Sequence, residues 1–191
     1  MLLWSIHTPD ILDIIERNEV YVCDPQLSEH ITDFSFGPAY DWLAKQMEVR
    51  VGPRPSGVSY PVWAWHTLNW RRHKPDLRES GWLAKGQDGV LLTLDVPDNQ
   101  VLLSDFDAWH WVINGWFLSA ATNEIDCEKE ENAFNALPES EKQLALHQSW
   151  EHIFDIATFE NDWTCHGKYI QATFWELKTE YIKSVQQFKA R

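Results

Sequence analysis

Twelve tryptophans in a chain of 191 residues constrain this protein more than any other feature of its sequence. Each indole buries a large area and usually needs a hydrogen-bond partner for its N–H group. A chain of this length forms one domain with a sizeable core, which accounts for most of the twelve rings. We expect the remaining indoles to line a groove for a flat ligand, because stacking on rings suits nicotinamides and nucleobases.

The N-terminal stretch and the cysteines indicate in which cellular compartment the protein is expected. MLLWSIHTPD lacks the basic region and the long apolar run of a signal peptide, and the apolar runs elsewhere are too short to span a membrane. Cys23, Cys127 and Cys165 are widely spaced, which favours reduced thiols over disulfides or a thiolate zinc site. We therefore expect a cytoplasmic protein with no membrane partner.

The charge distribution separates an acidic chain from one basic segment. A net charge of −13 repels phosphate backbones and argues against general nucleic-acid coating. The segment WRRHKPDLR (residues 70–78) nevertheless holds Arg71, Arg72, Lys74 and Arg78, four of the 16 basic residues. It is either a solvated loop that offsets nearby acids or a site for phosphate or pyrophosphate, whose oxygens match the paired donors of arginine.

Hydrophobic periodicity predicts short strands at both ends of the chain with helices between them, a mixed α+β single domain. Thr8 is the predicted cap of the first helix, which begins at Pro9 and ends near Asn18. The segment 124–143 is acidic and polar, and we interpret it as an exposed connector. The predicted strands are 2–8, 19–24, 58–68, 89–96 and 100–104, and DWTCHGKYIQATFWEL (162–177) is predicted to be extended. The later predicted helices are 37–51, 104–122 and 139–154.

The densest polar cluster is DFDAWHWVIN, at the start of the helix predicted over 104–122. Ser104 is its expected N-cap, and Asp105 and Asp107 favour the positive end of the helix dipole. Helical spacing places Asp107, His110 and Asn114 along one side. His110 then either bonds a backbone carbonyl or, with Asn114, lines a pocket beside the tryptophan-rich strand.

Several common sites are not indicated. The eight glycines form no phosphate-binding loop, and His147 and His152 do not have the spacing of a helical zinc motif, so we expect no metal. Cys165 or Cys23 could attack a substrate with His110 as the base, but no local feature favours this over burial.

Four segments carry a resemblance to a known family. LWSIHTPDILDIIERNEVYVCDP (3–25), YPVWAW (60–65), LLSDFDAWHWVIN (102–114) and QATFWELK (171–178) together resemble an uncharacterised bacterial family known only as a domain of unknown function. Members begin with LWTIQ, where this chain has Trp4-Ser5-Ile6-His7. The resemblance covers nearly the whole chain and implies no particular activity.

A more distant resemblance is to ADP-ribosyltransferases of the DarT type, which modify DNA using NAD. The strand–helix–strand opening that ends in CDP is similar to theirs, as is LLTLDVPDNQVLLSDFDAW (91–109) to their central strands and following helix. QATFWEL resembles their QAEFLV strand, whose glutamate is catalytic, but that position is Thr173 here. Glu176 would face the other side of the strand and would need a bulge to reach the same pocket.

This second resemblance implies an ADP-ribosyltransferase-like fold and NAD as a substrate, with weak or altered catalysis. Ser5 or His7 would touch the nicotinamide ribose, the two strand tryptophans would stack on nicotinamide, and arginines would hold the pyrophosphate. The implied catalytic residues are Glu176, Gln171 and His110, and the implied cofactor-binding residues are Ser5, His7, Trp63, Trp65, Arg71, Arg72, Arg78 and Asn114.

Two other functions fit the same sequence. The first is a non-catalytic module that reads a nucleic-acid end or a modified base through aromatic rings and the basic segment. The second is a protein-interaction partner, in a defence or toxin–antitoxin setting, whose acidic surface mimics nucleic acid. A nucleotide or NAD-like small molecule, with a nucleic-acid or protein acceptor, is the partner expected under the transferase hypothesis.

Overall fold

The computed structural model describes residues 1–27 and 36–191, and all statements below concern these residues. The helices are α1 (Asp10–Asn18), α2 (Gly37–Arg50), α3 (Phe106–Ile113), α4 (Glu124–Asn135) and α5 (Glu139–Ser149). The strands are β1 (Leu2–His7), β2 (Val20–Tyr21), β3 (Val62–Thr67), β4 (Asp88–Asp95), β5 (Leu102–Asp105), β6 (Phe159–Glu160), β7 (Cys165–His166), β8 (Ile170–Phe174), β9 (Leu177–Lys178) and β10 (Ile182–Lys189).

Six of these strands form one antiparallel sheet in the order β10-β4-β1-β3-β8-β5. Strands β2 and β9 form a second, two-stranded sheet, and β6 pairs with β7 in a short hairpin. The expected mixed α+β single domain is therefore confirmed as a fold class.

Side-chain alternation gives the large sheet two buried faces. One face, here the α1 face, packs Leu3, Val62, Leu92 and Phe174 with residues of helix α1. The opposite face, here the α2 face, is covered by α2, α3 and the 3-10 helix Trp150–Phe154. The sheet thus separates two apolar clusters, and a residue's register decides which cluster it joins.

Helix α1 forms much as its pattern predicts. Ile11 and Ile15 are buried one helical turn apart, and the helix ends at Asn18, before Glu19 at a φ of 61°. The predicted cap differs, since the helix begins at Asp10 with no side-chain cap bond, while the Thr8 carbonyl accepts from the Ile11 N–H.

The helix predicted over 104–122 is much shorter in the structure. Its N-cap is Asp105, whose side chain accepts from the Ala108 N–H, and not Ser104. The helix ends at Ile113, and Gly115 follows at a φ of 69°. A glycine in this left-handed conformation is a common helix stop, and it outweighs the apolar periodicity that continues beyond it.

The acidic segment 124–143 is exposed for the most part, but its first part forms the helix α4, which was not predicted. Its last part begins α5, in agreement with the helix predicted over 139–154. The Asn123 side chain caps α4 by accepting from the Asp126 N–H, and Lys129 pairs with Asp126 one turn on. These local bonds stabilise a helix that buries no residue fully and therefore has a weak apolar signal.

One strand prediction also differs, and one strand was not predicted. The segment 19–24 contributes only the two residues of β2 to a ladder. Strand β10, whose sequence shows no strong alternation, pairs with β4 along most of its length at one edge of the large sheet.

Within the described ranges, no helix is long and apolar enough to cross a membrane.

The ends of two side chains approach Gly89 of β4 closely. A Cβ at this position would lie 2.5 Å from the Phe188 ring of β10 and 2.6 Å from a methyl group of Leu83. We expect Gly89→Ala to lower the free energy of unfolding by about 1–2 kcal/mol, because the ring must shift to make room. Gly37→Ala, at a position where a Cβ would meet nothing within 4 Å, is the control and is expected to change stability little. Urea unfolding of both variants tests this, and equal stability of the two would contradict it.

Candidate functional site

Ser5 and His7 lie side by side on the α1 face, opposite Leu92 and Val90 of β4. The Ser5 hydroxyl donates to the Trp63 carbonyl oxygen at 2.7 Å, so its oxygen accepts from His7 Nε2 at 2.6 Å. Ser5 is 1% exposed, and the His7 ring packs edge-on against Tyr21. Burial lowers the pKa of His7 to about 4, opposed by the charge of Asp10, so the ring is neutral at pH 7.

The strand tryptophans Trp63 and Trp65 lie on the α2 face. The Trp63 ring is 5.3 Å from that of Trp109 and 6.0 Å from that of Tyr40, centroid to centroid. Trp65 contacts Phe106 at 5.1 Å and Trp82 at 6.0 Å. The rings of these tryptophans therefore pack mainly against other rings of the protein.

Strand β8 carries the segment in which the resemblance places the catalytic acid. Thr173, at that position, is fully buried, and its Oγ1 lies 3.2 Å from the sulfur of Met47 and 3.3 Å from the Leu102 carbonyl oxygen. Glu176 lies beyond the end of β8 and pairs with Lys178 at 3.6 Å. Helix α2 thus covers the position of the expected acid, and Glu176 lies outside the strand.

Gln171 faces the same side as Trp65, with which it pairs across the ladder, and lies opposite Ser104 of β5. Three buried atoms on this face have no hydrogen-bond partner among the described residues: Trp63 Nε1, Ser104 Oγ and Gln171 Oε1. Trp63 therefore lacks, among the described residues, the partner that a buried indole N–H usually has.

Three of the four basic side chains in the segment 70–78 form hydrogen bonds or an ion pair with other residues of the protein. Arg72 Nη2 donates to the Leu2 carbonyl oxygen at 2.9 Å, and Lys74 bonds the Gln186 side chain of β10. Arg78 and Asp76 form a paired contact, with Nη2 and Oδ2 2.6 Å apart. Arg71 is exposed, and its backbone is bonded to that of Leu68.

The eleven residues implied by the transferase resemblance are thus not brought together. Ser5 and His7 lie on the α1 face, whereas Trp63, Trp65 and Gln171 lie on the α2 face. The large sheet separates the two groups of residues, so they do not line one cavity.

The side chains of His110 and Asn114 form hydrogen bonds with backbone carbonyl groups, which is the first of the two alternatives given above for His110. His110 Nδ1 lies 3.0 Å from the Phe106 carbonyl oxygen, and Asn114 Nδ2 donates to the His110 carbonyl oxygen at 2.7 Å. His110 is nevertheless exposed, and it also lines a cleft.

That cleft, here the acidic cleft, has a volume of about 810 Å³ and lies between α3, α4 and the β6–β7 hairpin. Its charged lining consists of the carboxylates of Asp105, Asp107, Glu124, Glu128 and Glu131. Among the described residues, no lysine or arginine lines it, and the nearby Lys168 acts on Asp107 from outside the lining.

Asp105 fixes the geometry of this cleft. Its carboxylate is 2% exposed and accepts from the Ala108 N–H at 3.0 Å and the Gly167 N–H at 2.8 Å. Gly167 directly follows β7, so one side chain ties the start of α3 to the base of the hairpin. Burial, followed by the neighbouring charge of Asp105, raises the pKa of Asp107.

Two indoles complete the lining. Trp111 of α3 is 42% exposed and Trp163 in the hairpin turn is 48% exposed, and both line the acidic cleft. Two half-exposed indoles in one concave site are suited to contact with a ligand. They fit the expectation that some of the tryptophans line a groove, although these are not the two strand tryptophans that the sequence favoured.

Two thiols also line the cleft, Cys127 of α4 and Cys165 of β7. Burial is the largest cause that raises the pKa of each thiol, and nearby carboxylates raise it further. Both remain protonated at pH 7, which is the wrong state for a nucleophile. No group of three or more histidine, cysteine, aspartate or glutamate side chains that could hold a metal ion is found in the described part of the chain.

Sequence reasoning missed most of this site, although signals for it were present. Glu124, Glu128 and Glu131 fall at helical spacing within a segment interpreted as a connector. The tryptophan count indicated exposed rings without identifying Trp111 and Trp163. The hairpin that brings Trp163 to α3 depends on the Asp105–Gly167 contact, which joins residues far apart in the chain.

Comparison with known proteins gives one family and no further relative. A search of curated proteins and a search of solved structures each returned no match. A family model described as "Domain of unknown function (DUF3841)" matches residues 2–183, nearly the whole chain. The chain therefore belongs to the DUF3841 family.

Proposed function

We propose that this protein is a non-catalytic binding module whose acidic cleft receives an organic cation, an ammonium or a guanidinium group. The lining of the cleft carries the proposal: four carboxylates besides the buried Asp105, and two half-exposed indoles, with no lysine or arginine in the lining among the described residues. Carboxylates attract a cation directly, and an indole face contributes about 0.5–2 kcal/mol through its quadrupole.

Other charges of the protein also favour a positively charged ligand. The net charge of −13 raises the local concentration of cations and accelerates their association at low ionic strength. The raised pKa of Asp107 reflects burial and the neighbouring charge of Asp105, which His110 and Lys168 offset only in part, and a bound cation would offset both further. The protonated thiols provide no nucleophile, which fits binding better than catalysis.

Binding of NAD or a related nucleotide, with weak ADP-ribosyl transfer, is the competing proposal. It rests on the resemblance alone, because the implied residues are divided between the two faces of the sheet. A pyrophosphate would also meet only carboxylates as charged groups in the acidic cleft lining. NAD and a single-stranded oligonucleotide therefore serve as anionic ligands in the test.

Isothermal titration calorimetry with agmatine, spermidine, NAD and a short oligonucleotide in about 20 mM salt tests the proposal, since screening is weak there. We expect the two amines to bind and the two anions not to bind. In Glu128→Gln/Glu131→Gln, affinity for the amines should fall about tenfold, because each exposed ion pair contributes up to about 1 kcal/mol.

The matched control is Glu141→Gln/Glu180→Gln, which removes the same charge from exposed positions outside the cleft lining. Its affinity for amines should change less than about twofold, which is the long-range share of the charge effect. Equal losses in the two double variants would assign amine binding to the general charge of the surface. Binding of NAD in preference to the amines would support the transferase hypothesis instead.

A further inference from the structure

The acidic cleft adjoins a second cavity. This smaller cavity, here the small lobe, has a volume of about 300 Å³ and shares Ala108, Leu118, Ser119 and His166 with the acidic cleft. Because the acidic cleft and the small lobe share these residues as a wall, a single ligand of modest length can reach both cavities.

The lining of the small lobe differs in chemistry from that of the acidic cleft. Alanines 108, 120 and 157, with Leu118 and Phe159, supply most of its apolar surface. Its single carboxylate in the described lining, Asp155, accepts from the Ala157 N–H at 3.2 Å. The small lobe is therefore suited to an uncharged side chain.

The hairpin of β6 and β7 lines both the acidic cleft and the small lobe. Trp163, Thr164 and Cys165 line the acidic cleft, whereas Thr158 and Phe159 line the small lobe. Phe159 pairs with His166 across the hairpin, and their rings lie 6.5 Å apart. Phe159 is 40% exposed, so the small lobe also has an exposed aromatic ring at its edge.

The size of the acidic cleft exceeds what a lone cation needs. About 810 Å³ is within the range that holds a drug-sized molecule, whereas an ammonium or guanidinium group is only a few atoms. The exposed ring of Phe159 belongs to the lining of the small lobe, whereas a free amine needs only the carboxylates and indoles of the acidic cleft. These features fit a longer ligand that carries both a charge and apolar groups.

We propose that the ligand is a short extended segment of a partner protein, with a lysine or arginine in the acidic cleft and an uncharged apolar side chain in the small lobe. This inference rests on the proposed function. The two side chains lie close together along the segment, because the lobes share a wall. In an extended chain, adjacent side chains point to opposite sides and side chains one residue apart point to the same side, so both spacings are tested.

Blocked pentapeptides of alanine test the pairing when they carry one arginine and one leucine, adjacent or one residue apart, in both orders. Calorimetry compares the tightest peptide with the same peptide bearing alanine in place of leucine, and with agmatine. We expect the arginine–leucine peptide to bind at least tenfold more tightly than either. A single-stranded oligonucleotide that competes with the peptide would overturn the proposal in favour of a nucleic-acid partner.

Ala157→Phe, which fills the small lobe, is the informative protein variant. It should remove the advantage of leucine over alanine and leave the affinity for agmatine unchanged. Ala136→Phe, at an exposed alanine outside both linings, is the control and should keep the advantage. Thermal melts of both variants check that the fold is intact.

The outcomes separate the two proposals. If agmatine binds and the leucine peptide binds no more tightly than the alanine peptide, the peptide proposal fails and the cation site stands. If the leucine advantage persists in Ala157→Phe, the small lobe is not where leucine binds and the peptide proposal also fails. If neither agmatine nor any peptide binds, both proposals fail.

Discussion

Replacing Asp105 with asparagine is expected to lower the free energy of unfolding by about 2–4 kcal/mol, one of the largest effects available from a single polar substitution. Both carboxylate oxygens accept backbone N–H groups, from Ala108 at 3.0 Å and Gly167 at 2.8 Å, and the side chain is 2% exposed. Asparagine keeps one acceptor but turns an NH₂ group toward the other N–H, leaving two buried donors facing each other. Urea unfolding at pH 7 measures the change.

Asp107→Asn is the matched control, two residues further along the same helix. Because burial and the charge of Asp105 raise the pKa of Asp107, its ionised form is disfavoured in the folded state. Its neutralisation should therefore leave stability unchanged or raise it by a few tenths of a kcal/mol. A loss at Asp107→Asn as large as that at Asp105→Asn would show that charge near the helix start matters more than the two buried hydrogen bonds.

Acidification from pH 7.5 to pH 5 is expected to remove about 2 kcal/mol of stability through His7 alone. Burial lowers the pKa of His7 to about 4, whereas the unfolded chain has the ordinary value of 6.5. Above pH 6.5 the ring is neutral in both states and contributes no pH dependence. Between pH 6.5 and about 4 only the unfolded state takes up the proton, so stability falls as the pH falls.

His7→Gln tests this assignment, because the glutamine amide donates to Ser5 as the ring nitrogen does but does not titrate. The difference in unfolding free energy between pH 7.5 and pH 5 should shrink by about 2 kcal/mol in this variant. His66, whose pKa burial and the charge of Arg72 also lower to about 4, retains its own contribution in both proteins.

The exposed His73 provides the control for the pH experiment, and His73→Gln should keep the dependence of the unmodified protein. Carboxylates add to the loss of stability mainly below pH 5, which is why the comparison stops there. An equal pH dependence in His7→Gln and the unmodified protein would show that this ring is not the group responsible.

Stretches whose pattern is local were predictable from the sequence. The run GVLLTLDV predicts β4, and the alternation around Trp63 and Trp65 predicts β3 and correctly gives the two indoles a common face. Helices α1 and α2 follow from apolar spacing. These features depend on neighbours within a turn or a strand, so each stretch contains the information needed to predict it.

The candidate site could not be predicted in the same way. Alternation shows that Ser5 and His7 share one side of β1, but only the pairing of Trp4 with Trp65 shows that Trp63 and Trp65 lie on the other side of the sheet. Helix α4 has little apolar signal, and its position beside α3 and the hairpin creates the acidic cleft.

The sequence by itself determined an acidic α+β domain with more tryptophan than a small core readily hides, because composition and local periodicity suffice for that. The tertiary structure alone decided which indoles remain exposed and which carboxylates share a cleft. Register and long-range contacts such as that between Asp105 and Gly167 fix those choices, and they join residues that no local pattern relates.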